Sequence, residues 1–464
     1  MNRWTRRKSA DLADVAAGQR LKATLSWPHL IALGVGAIVG TGIYTLIGVG
    51  ANLAGPAVIL SFLVAGVVCA CAALAYAELA TAMPVSGGAY TYSYAVLGEG
   101  IAWIVGWSLI LEYSLVVSAV AVGWSGYAVG FLKGFGVDLP LALIAGPHAG
   151  GLVNLPAILI IGLVAGLLAL GTRESATVNA VLVVIKIAAL LLFIAVALPH
   201  FDMAHFEPFM PYGFAKHDDG GTERGVMAAA AIIFFAFYGF DAIATAAEET
   251  KNPARDLSIG IVGSMVACTI LYVVVAGVAV GAITFTTYAT SPEPLALILR
   301  ELGQGRMAGI VAGAAVLALP TVLLAFLYGQ SRIFFVMARD GLLPSSLAAV
   351  STTRGTPIRV TLVTAVLLSA LAGIVRLDEI AALANAGTLA AFTAVAACML
   401  VRRKRGEVGS TFRTPAAWIV GPVAILGCLY LFWSLPTRTQ LWFLIWNAAG
   451  LVIYLLSARR APAG

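Results

Sequence analysis

Apolar runs separated by short polar connections recur along the chain from residue 28 to residue 458. A helix that crosses a bilayer needs about 20 mostly apolar residues, and about twelve stretches meet that criterion. They lie near residues 28–50, 57–82, 98–131, 154–172, 176–199, 226–250, 258–284, 308–338, 358–376, 379–401, 414–434 and 440–458. The expected fold is therefore an all-α polytopic membrane protein. Its expected parts are an N-terminal segment (1–27), a helical core (28–401), a basic loop (402–413), two further helices (414–458) and a tail (459–464). Residues 200–225 make the longest connection, and residues 292–303 read as a short amphipathic helix. The aromatic-polar mix of residues 84–94 (PVSGGAYTYSY) suits a re-entrant or interfacial segment.

Composition makes lipid the solvent. Of 464 residues, 61% are hydrophobic and 11% charged, against about 25% charged in a soluble domain. A mean hydropathy of +0.96 leaves too much apolar surface for a water-soluble fold to hide. The first 27 residues are polar and basic and lack the apolar stretch of a cleavable signal. Roughly twenty Lys and Arg fall on the side of the N-terminus and about seven on the other, with Lys186 left inside an apolar run. The net charge of +6 thus follows the membrane rather than a nucleic acid, and the bias places both termini in the cytoplasm. Cys69, Cys71, Cys268, Cys398 and Cys428 all sit in apolar runs as small hydrophobes, with no zinc-type or disulfide spacing.

Two segments carry interruptions. The first reads LGVGAIVGTGIY, with Gly34, Gly36, Gly40 and Gly42; the sixth reads IIFFAFYGFDAIAT, with Gly239 and Asp241. A Gly in a helix interior costs about 1 kcal/mol relative to Ala, although small residues also serve close helix packing. The placement carries more weight, because these segments open the first and the second group of five. Interrupted helices at matching places in two halves mark inverted-repeat carriers with a midplane site. There the half-helix N-termini offer N–H groups to an anion, and free carbonyls at the opposing ends can receive an ammonium group.

The stretches GAIVGTGIY, FLVAGVVCACAALAYAELA, PVSGGAYTYSYAVLGE, GWSLILEY, VGWSGY, FFAFYGFDAIATAAEETKNPARDL and GQSRIFFVMARDGLLP resemble the cationic amino acid transporter branch of the amino acid–polyamine–organocation superfamily. The resemblance runs from about residue 25 to about residue 400, and the sixth segment with its trailing AAEETKNPARDL is its most distinctive block. It implies the fold of the sodium-coupled leucine transporter, a five-plus-five inverted repeat with broken first and sixth helices. It implies twelve helices, as in bacterial members, and so a bacterial inner membrane. The implied activity is import of L-amino acids, cationic or small neutral such as alanine, by proton-coupled symport with alternating access. No cofactor is expected beyond the proton as coupling ion, and the expected partners are the amino acid and membrane lipid.

Lys186 lies about 11 residues past Ser175, hence roughly 16 Å deep in a ~30 Å hydrocarbon core, beyond the reach of snorkelling. An ionisable group there reads as functional. Desolvation disfavours the charged form of a buried amine, so the proton can leave within the physiological range. The resemblance places Lys186 where relatives hold a sodium ion between the first and eighth helices, which makes it the expected proton-coupling residue. By the same carry-over, Thr41 and Gly42 offer N–H groups to the substrate carboxylate, and the carbonyls of Ile38, Phe235 and Tyr238 receive the α-ammonium. Asp241 either caps the second half of the sixth helix or stands in the side-chain pocket. Glu112, deep in the third segment, is excluded from lipid by cost and is expected to line that pocket, the alternative being a structural polar contact to a neighbouring helix. Glu78, and Glu248 and Glu249 with Lys251 and Arg255, read as boundary ion pairs rather than ligands. Tyr238 departs from the smaller aliphatic residue usual in the family, which narrows the pocket against large cationic substrates.

Other classes fit less well. A channel needs a filter or charge rings. An enzyme needs a convergent acid–base or metal set, yet His29, His148, His200, His205 and His217 lie at segment ends or in loops. Exchange of an amino acid for its amine, and a non-transporting sensor on the same fold, stay open alternatives. The helix 5 lysine favours symport, since exchangers of that kind lack it as a group.

Overall fold

The structure is a computed structural model that describes residues 3–7, 25–84, 87–170, 176–245, 250–344, 358–407 and 412–458. Among the described residues every apolar stretch is mainly helical. In chain order the helices are α1 (Trp27–Ile38), α2 (Thr41–Tyr44), α3 (Leu46–Ala54), α4 (Val58–Ala82), α5 (Gly88–Val96) and α6 (Glu99–Gly134). Then follow α7 (Leu155–Ala169), α8 (Ala176–Ala197), α9 (Val226–Ile233), α10 (Asp241–Thr245), α11 (Pro253–Ala282) and α12 (Pro294–Glu301). The chain closes with α13 (Gly305–Arg339), α14 (Ile358–Ile374), α15 (Leu377–Lys404), α16 (Ala417–Ser434) and α17 (Thr437–Ala458). Among the described residues eight helices are long and apolar enough to cross a membrane by length and composition, with Leu46–Ala82 counted as one. Trp27–Ile38, Leu155–Ala169, Val226–Ala236 and Ile358–Ile374 are shorter apolar helices.

Local chemistry sets several boundaries. Pro253 and Pro294 open α11 and α12, where the missing N–H costs nothing. Asn154 caps α7, its side chain accepting from the Ala157 N–H at 3.2 Å. Pro320 lies inside α13 and cannot bond the Val316 carbonyl four residues back. The indole N–H of Trp124, on α6, donates to that carbonyl at 2.8 Å instead. The amphipathic helix expected over 292–303 is α12. Within the 84–94 stretch a separate helix, α5, starts at Gly88, and residues 85–86 lie outside the described residues.

The long helices α4, α6, α11, α13 and α15 wrap the interrupted pieces α1–α3 and α9–α10, of which α2 and α9 are wholly buried and α1 is buried toward its break. α7, α14, α16 and α17 flank them and turn Leu, Ile, Val and Trp outward. α17 is strapped to α6 by reciprocal indole bonds: Trp107 Nε1–H to the Trp446 carbonyl at 2.8 Å, and Trp446 Nε1–H to the Trp107 carbonyl at 3.0 Å. A small hairpin, β1 (His217–Asp219) with β2 (Thr222–Arg224), folds the 200–225 connection. Its Glu223 accepts from the Thr437 hydroxyl at 2.7 Å at the start of α17.

Glu78 forms the boundary ion pair its sequence position predicts. Both its oxygens engage Arg403 on α15, at 2.7 and 2.6 Å, and one also accepts the Thr414 N–H at 2.8 Å. Glu248 and Glu249 lie outside the described residues. Replacing Arg403 by Ala leaves the buried Glu78 carboxylate with a single backbone donor. That is expected to cost roughly 3 kcal/mol, as for one partner removed from a buried pair. The check is the apparent Tm of the detergent-purified protein, and an unchanged Tm would refute the role of the pair.

Candidate functional site

The two interruptions face each other. α1 ends at Ile38, Val39 and Gly40 run extended, and α2 restarts at Thr41. α9 ends at Ile233 and passes through a single 3-10 turn, Phe234–Ala236. Gly239 then takes φ +116°, a conformation that favours glycine, before α10 begins at Asp241. Each break has a glycine where the other's backbone passes. A Cβ on Gly42 would lie 2.3 Å from the Ala236 Cα, and one on Gly239 would lie 2.8 Å from the Ala37 carbonyl carbon.

Broken helices free backbone groups that a water-poor interior must satisfy. Tyr272 on α11 donates to the Ile38 carbonyl at 2.9 Å. On the second break, the Asn385 amide nitrogen donates to the carbonyls of Ala231 and Ile232 at 2.7 and 2.9 Å, and the Cys69 thiol lies 3.6 Å from the Phe237 carbonyl. Lys186 serves the first break. Its side chain is fully buried, and Nζ donates to the Gly36 carbonyl at 2.9 Å in the last turn of α1. Nζ also bonds Thr321 Oγ1 at 3.0 Å, one residue after Pro320. The Thr321 hydroxyl gives its proton to the Ala318 carbonyl, so it must accept from the amine. A cation here also complements the negative end of α1. Tyr44 extends the connection, donating to the Lys186 carbonyl at 2.9 Å while its own carbonyl accepts from Tyr127 at 2.6 Å.

A narrow cavity opens between the breaks. Ala37, Ile38, Gly40, Thr41 and Gly42 line it from the first, and Phe235 and Tyr238 from the second. Its remaining walls are Val116 and Val120 of α6 and Val322 and Phe326 of α13. As the first residues of α2, Thr41 and Gly42 have N–H groups without an intrahelical acceptor. The cavity therefore has backbone donors and carbonyls on one side and aliphatic or aromatic groups on the other.

Of the residues singled out in the sequence, Ile38, Thr41, Gly42, Phe235 and Tyr238 are brought together on this wall. Glu112 and Asp241 are not. Asp241 turns toward its own break and α6, accepting from the Tyr113 hydroxyl at 2.9 Å and the Gly239 N–H at 3.1 Å. Glu112 is buried behind the wall, where its Cβ faces Gly387 of α15 and its hydrogen-bonding neighbour is Thr388. Height along α6 explains the difference: Glu112 shares a face with Val116 and Val120 but stands about 6 Å and about 12 Å before them along the axis, where Gly387 of α15 meets it. Asn385, Tyr272 and Thr321 were not singled out beforehand. A lone Asn amid the apolar α15 was the one available signal. Among the described residues no group of three His, Cys, Asp or Glu is placed to hold a metal ion.

The sequence model of the amino acid permease family matches residues 25–456. The chain is 47% identical to a branched-chain amino acid permease of Bacillus subtilis, covering 98% of this chain and 97% of the relative. It is 41% identical to a methylthioribose transporter of the same organism, covering 97% and 96%. A vacuolar cationic amino acid transporter of Arabidopsis thaliana is 37% identical, over 87% of this chain and 67% of the relative.

Asn385→Ala strips the donors from two buried carbonyls, each worth about 1–3 kcal/mol when left unsatisfied. A Tm several degrees lower is expected, with a larger fall for Gly42→Val, whose side chain meets backbone. Equal Tm values for both variants and the parent protein would remove the clasp as a structural element.

Proposed function

The chain belongs to the amino acid permease family, and on that premise we propose that it imports neutral aliphatic L-amino acids, small or branched, by proton-coupled symport. Members of the family are permeases rather than enzymes, and the chain is an integral membrane protein. The observation that carries the reading is the cavity between two broken helices, polar at its backbone end and apolar at its walls. In this reading the substrate carboxylate meets the N–H groups of Thr41 and Gly42. The ammonium meets the carbonyls of Ile38, Phe235 and Tyr238, and the side chain lies against Val116, Val120, Val322 and Phe326. Those walls favour an aliphatic side chain over a guanidinium, because Glu112 and Asp241 stand off the cavity and Tyr238 narrows it. The similarity to a branched-chain permease points the same way.

Lys186 is the proposed proton carrier. Protonated, it holds the end of α1 to α8 and α13 through charge-assisted hydrogen bonds, which are about twice as strong as neutral ones. Deprotonated at the cytoplasmic side, it loosens that tie and lets α1 swing with substrate release. The proposed frame is twelve crossings, the first ten arranged as two inverted repeats opened by α1 and α9. Both termini are cytoplasmic in this frame, as the basic loops favour, in a bacterial inner membrane. Such a cycle needs no cofactor.

Two measurements in proteoliposomes test the proposal. With an inward-acid gradient, Lys186→Ala is expected to lose accumulation while retaining substrate binding; gradient-driven accumulation equal to that of the parent protein would falsify the coupling role. In competition against labelled leucine, isoleucine and valine are expected to inhibit at concentrations at least roughly tenfold below arginine, a difference of about 1.4 kcal/mol. Arginine or methylthioribose competing best would overturn the substrate class, and absence of any flux would point to a sensor.

A further inference from the structure

We propose that residues 135–154 form a wedge in the leaflet farther from the N-terminus, with Phe135, Leu141 and Leu152 seated among lipid acyl chains. This segment joins α6 to α7 and carries only two titratable groups, Asp138 and His148. Its large apolar side chains point outward: Phe135 is 73% exposed, Leu152 72% and Leu141 56%. A loop bathed in water does not present such a face without a partner.

Three observations identify the partner as lipid. The apolar face is continuous with the outward stripe of α7, where Leu159 and Leu163 are 61% and 59% exposed. Second, α7 and α14 pack on each other and are short. Their 15 and 17 residues rise about 22 and 26 Å, less than the ~30 Å hydrocarbon core. At this edge α7 begins and α14 ends against the segment. Third, the segment answers its own backbone, as irregular chain near hydrocarbon must. The Leu152 and Val153 N–H groups donate to the Ala142 carbonyl at 3.0 and 3.1 Å, and Gly151 N–H to the Gly146 carbonyl at 3.2 Å. Asn154 N–H closes onto the Gly373 carbonyl of α14 at 2.9 Å, and its side chain accepts from Ser125 at 2.6 Å. His148 Nδ1 lies 3.3 Å from the Ile374 carbonyl, which draws the one imidazole of the segment toward α14. The wedge thus extends the membrane-facing surface past the start of α7 and the end of α14.

The test places a nitroxide at Leu152→Cys or Phe135→Cys in the full chain with Cys69 replaced by serine, which keeps a donor for the Phe237 carbonyl, and the other four native cysteines by alanine, reconstituted in vesicles and checked by uptake. The reference site is Asp218→Cys on the β-hairpin. Collisions with oxygen are expected to exceed those with a water-soluble nickel chelate at Leu152→Cys and Phe135→Cys, and the order to reverse at Asp218→Cys. Nickel accessibility matching the hairpin site would overturn the wedge. Spin–spin broadening that grows with protein density would also overturn it, by assigning the face to a second copy of the chain. If the cysteine-free chain does not fold, a lipid with a photoreactive group at mid-chain is cross-linked to the unmodified protein. Adducts within residues 135–154 are then the expected result, and their absence beside labelled α7 peptides is the contrary one.

Discussion

The structure depends on one constraint: two helices are broken where there is no water to take the backbone groups that the breaks release. Each such group left unpaired in hydrocarbon costs several kcal/mol, so the neighbouring helices supply partners. Tyr272, Asn385 and Cys69 point at freed carbonyls, and Lys186 holds the Gly36 carbonyl. The same logic governs α13, where Pro320 frees a carbonyl and Trp124 from α6 takes it. These polar side chains are distributed over α4, α6, α8, α11 and α15, so the breaks hold the bundle in register as much as the bundle holds the breaks.

The clasp between the breaks has a steric side as well. Gly42 and Gly239 let two backbones pass at distances no Cβ permits, which sets the width of the cavity from the backbone rather than from side chains. A ligand recognised there meets fixed N–H and C=O groups at one end, whatever its side chain. Selectivity is then left to four side chains on α6 and α13. This division suits a family whose relatives carry the names of different substrates, and it is why Val116 and Val322 matter more to the proposed specificity than the buried carboxylates do.

Lys186 joins the two themes. Its bonds reach α1 and α13, and through its carbonyl it meets Tyr44 of α2, on the far side of the first break. A single residue therefore touches both halves of the interrupted helix, the first through its amine and the second through its backbone carbonyl. In the proposed cycle a change of one proton acts at Gly36, beside the cavity residues Ala37 and Ile38, which couples the proton to the site through the end of α1.

The chain by itself determined the membrane class, the helical stretches, the two interruptions and the placing of Lys186 within an apolar helix, because hydrophobic length and glycine clustering are properties of a single segment. The family was legible too, since its blocks are contiguous runs of residues. The position of Glu78 announced an ion pair but not Arg403, which is more than three hundred residues away. Glu112 and Asp241 looked like pocket carboxylates because a charge inside the membrane draws functional attention. Only the packing of α6 against α15 and the turn after Gly239 decided that Glu112 meets Gly387, that Asp241 meets Tyr113, and that the cavity walls are aliphatic and aromatic. Asn385, Tyr272 and Thr321 gained their roles in the same way. A hydrogen-bond donor has meaning only once folding brings an orphaned acceptor within 3 Å of it, and no local pattern records which helix will lie there.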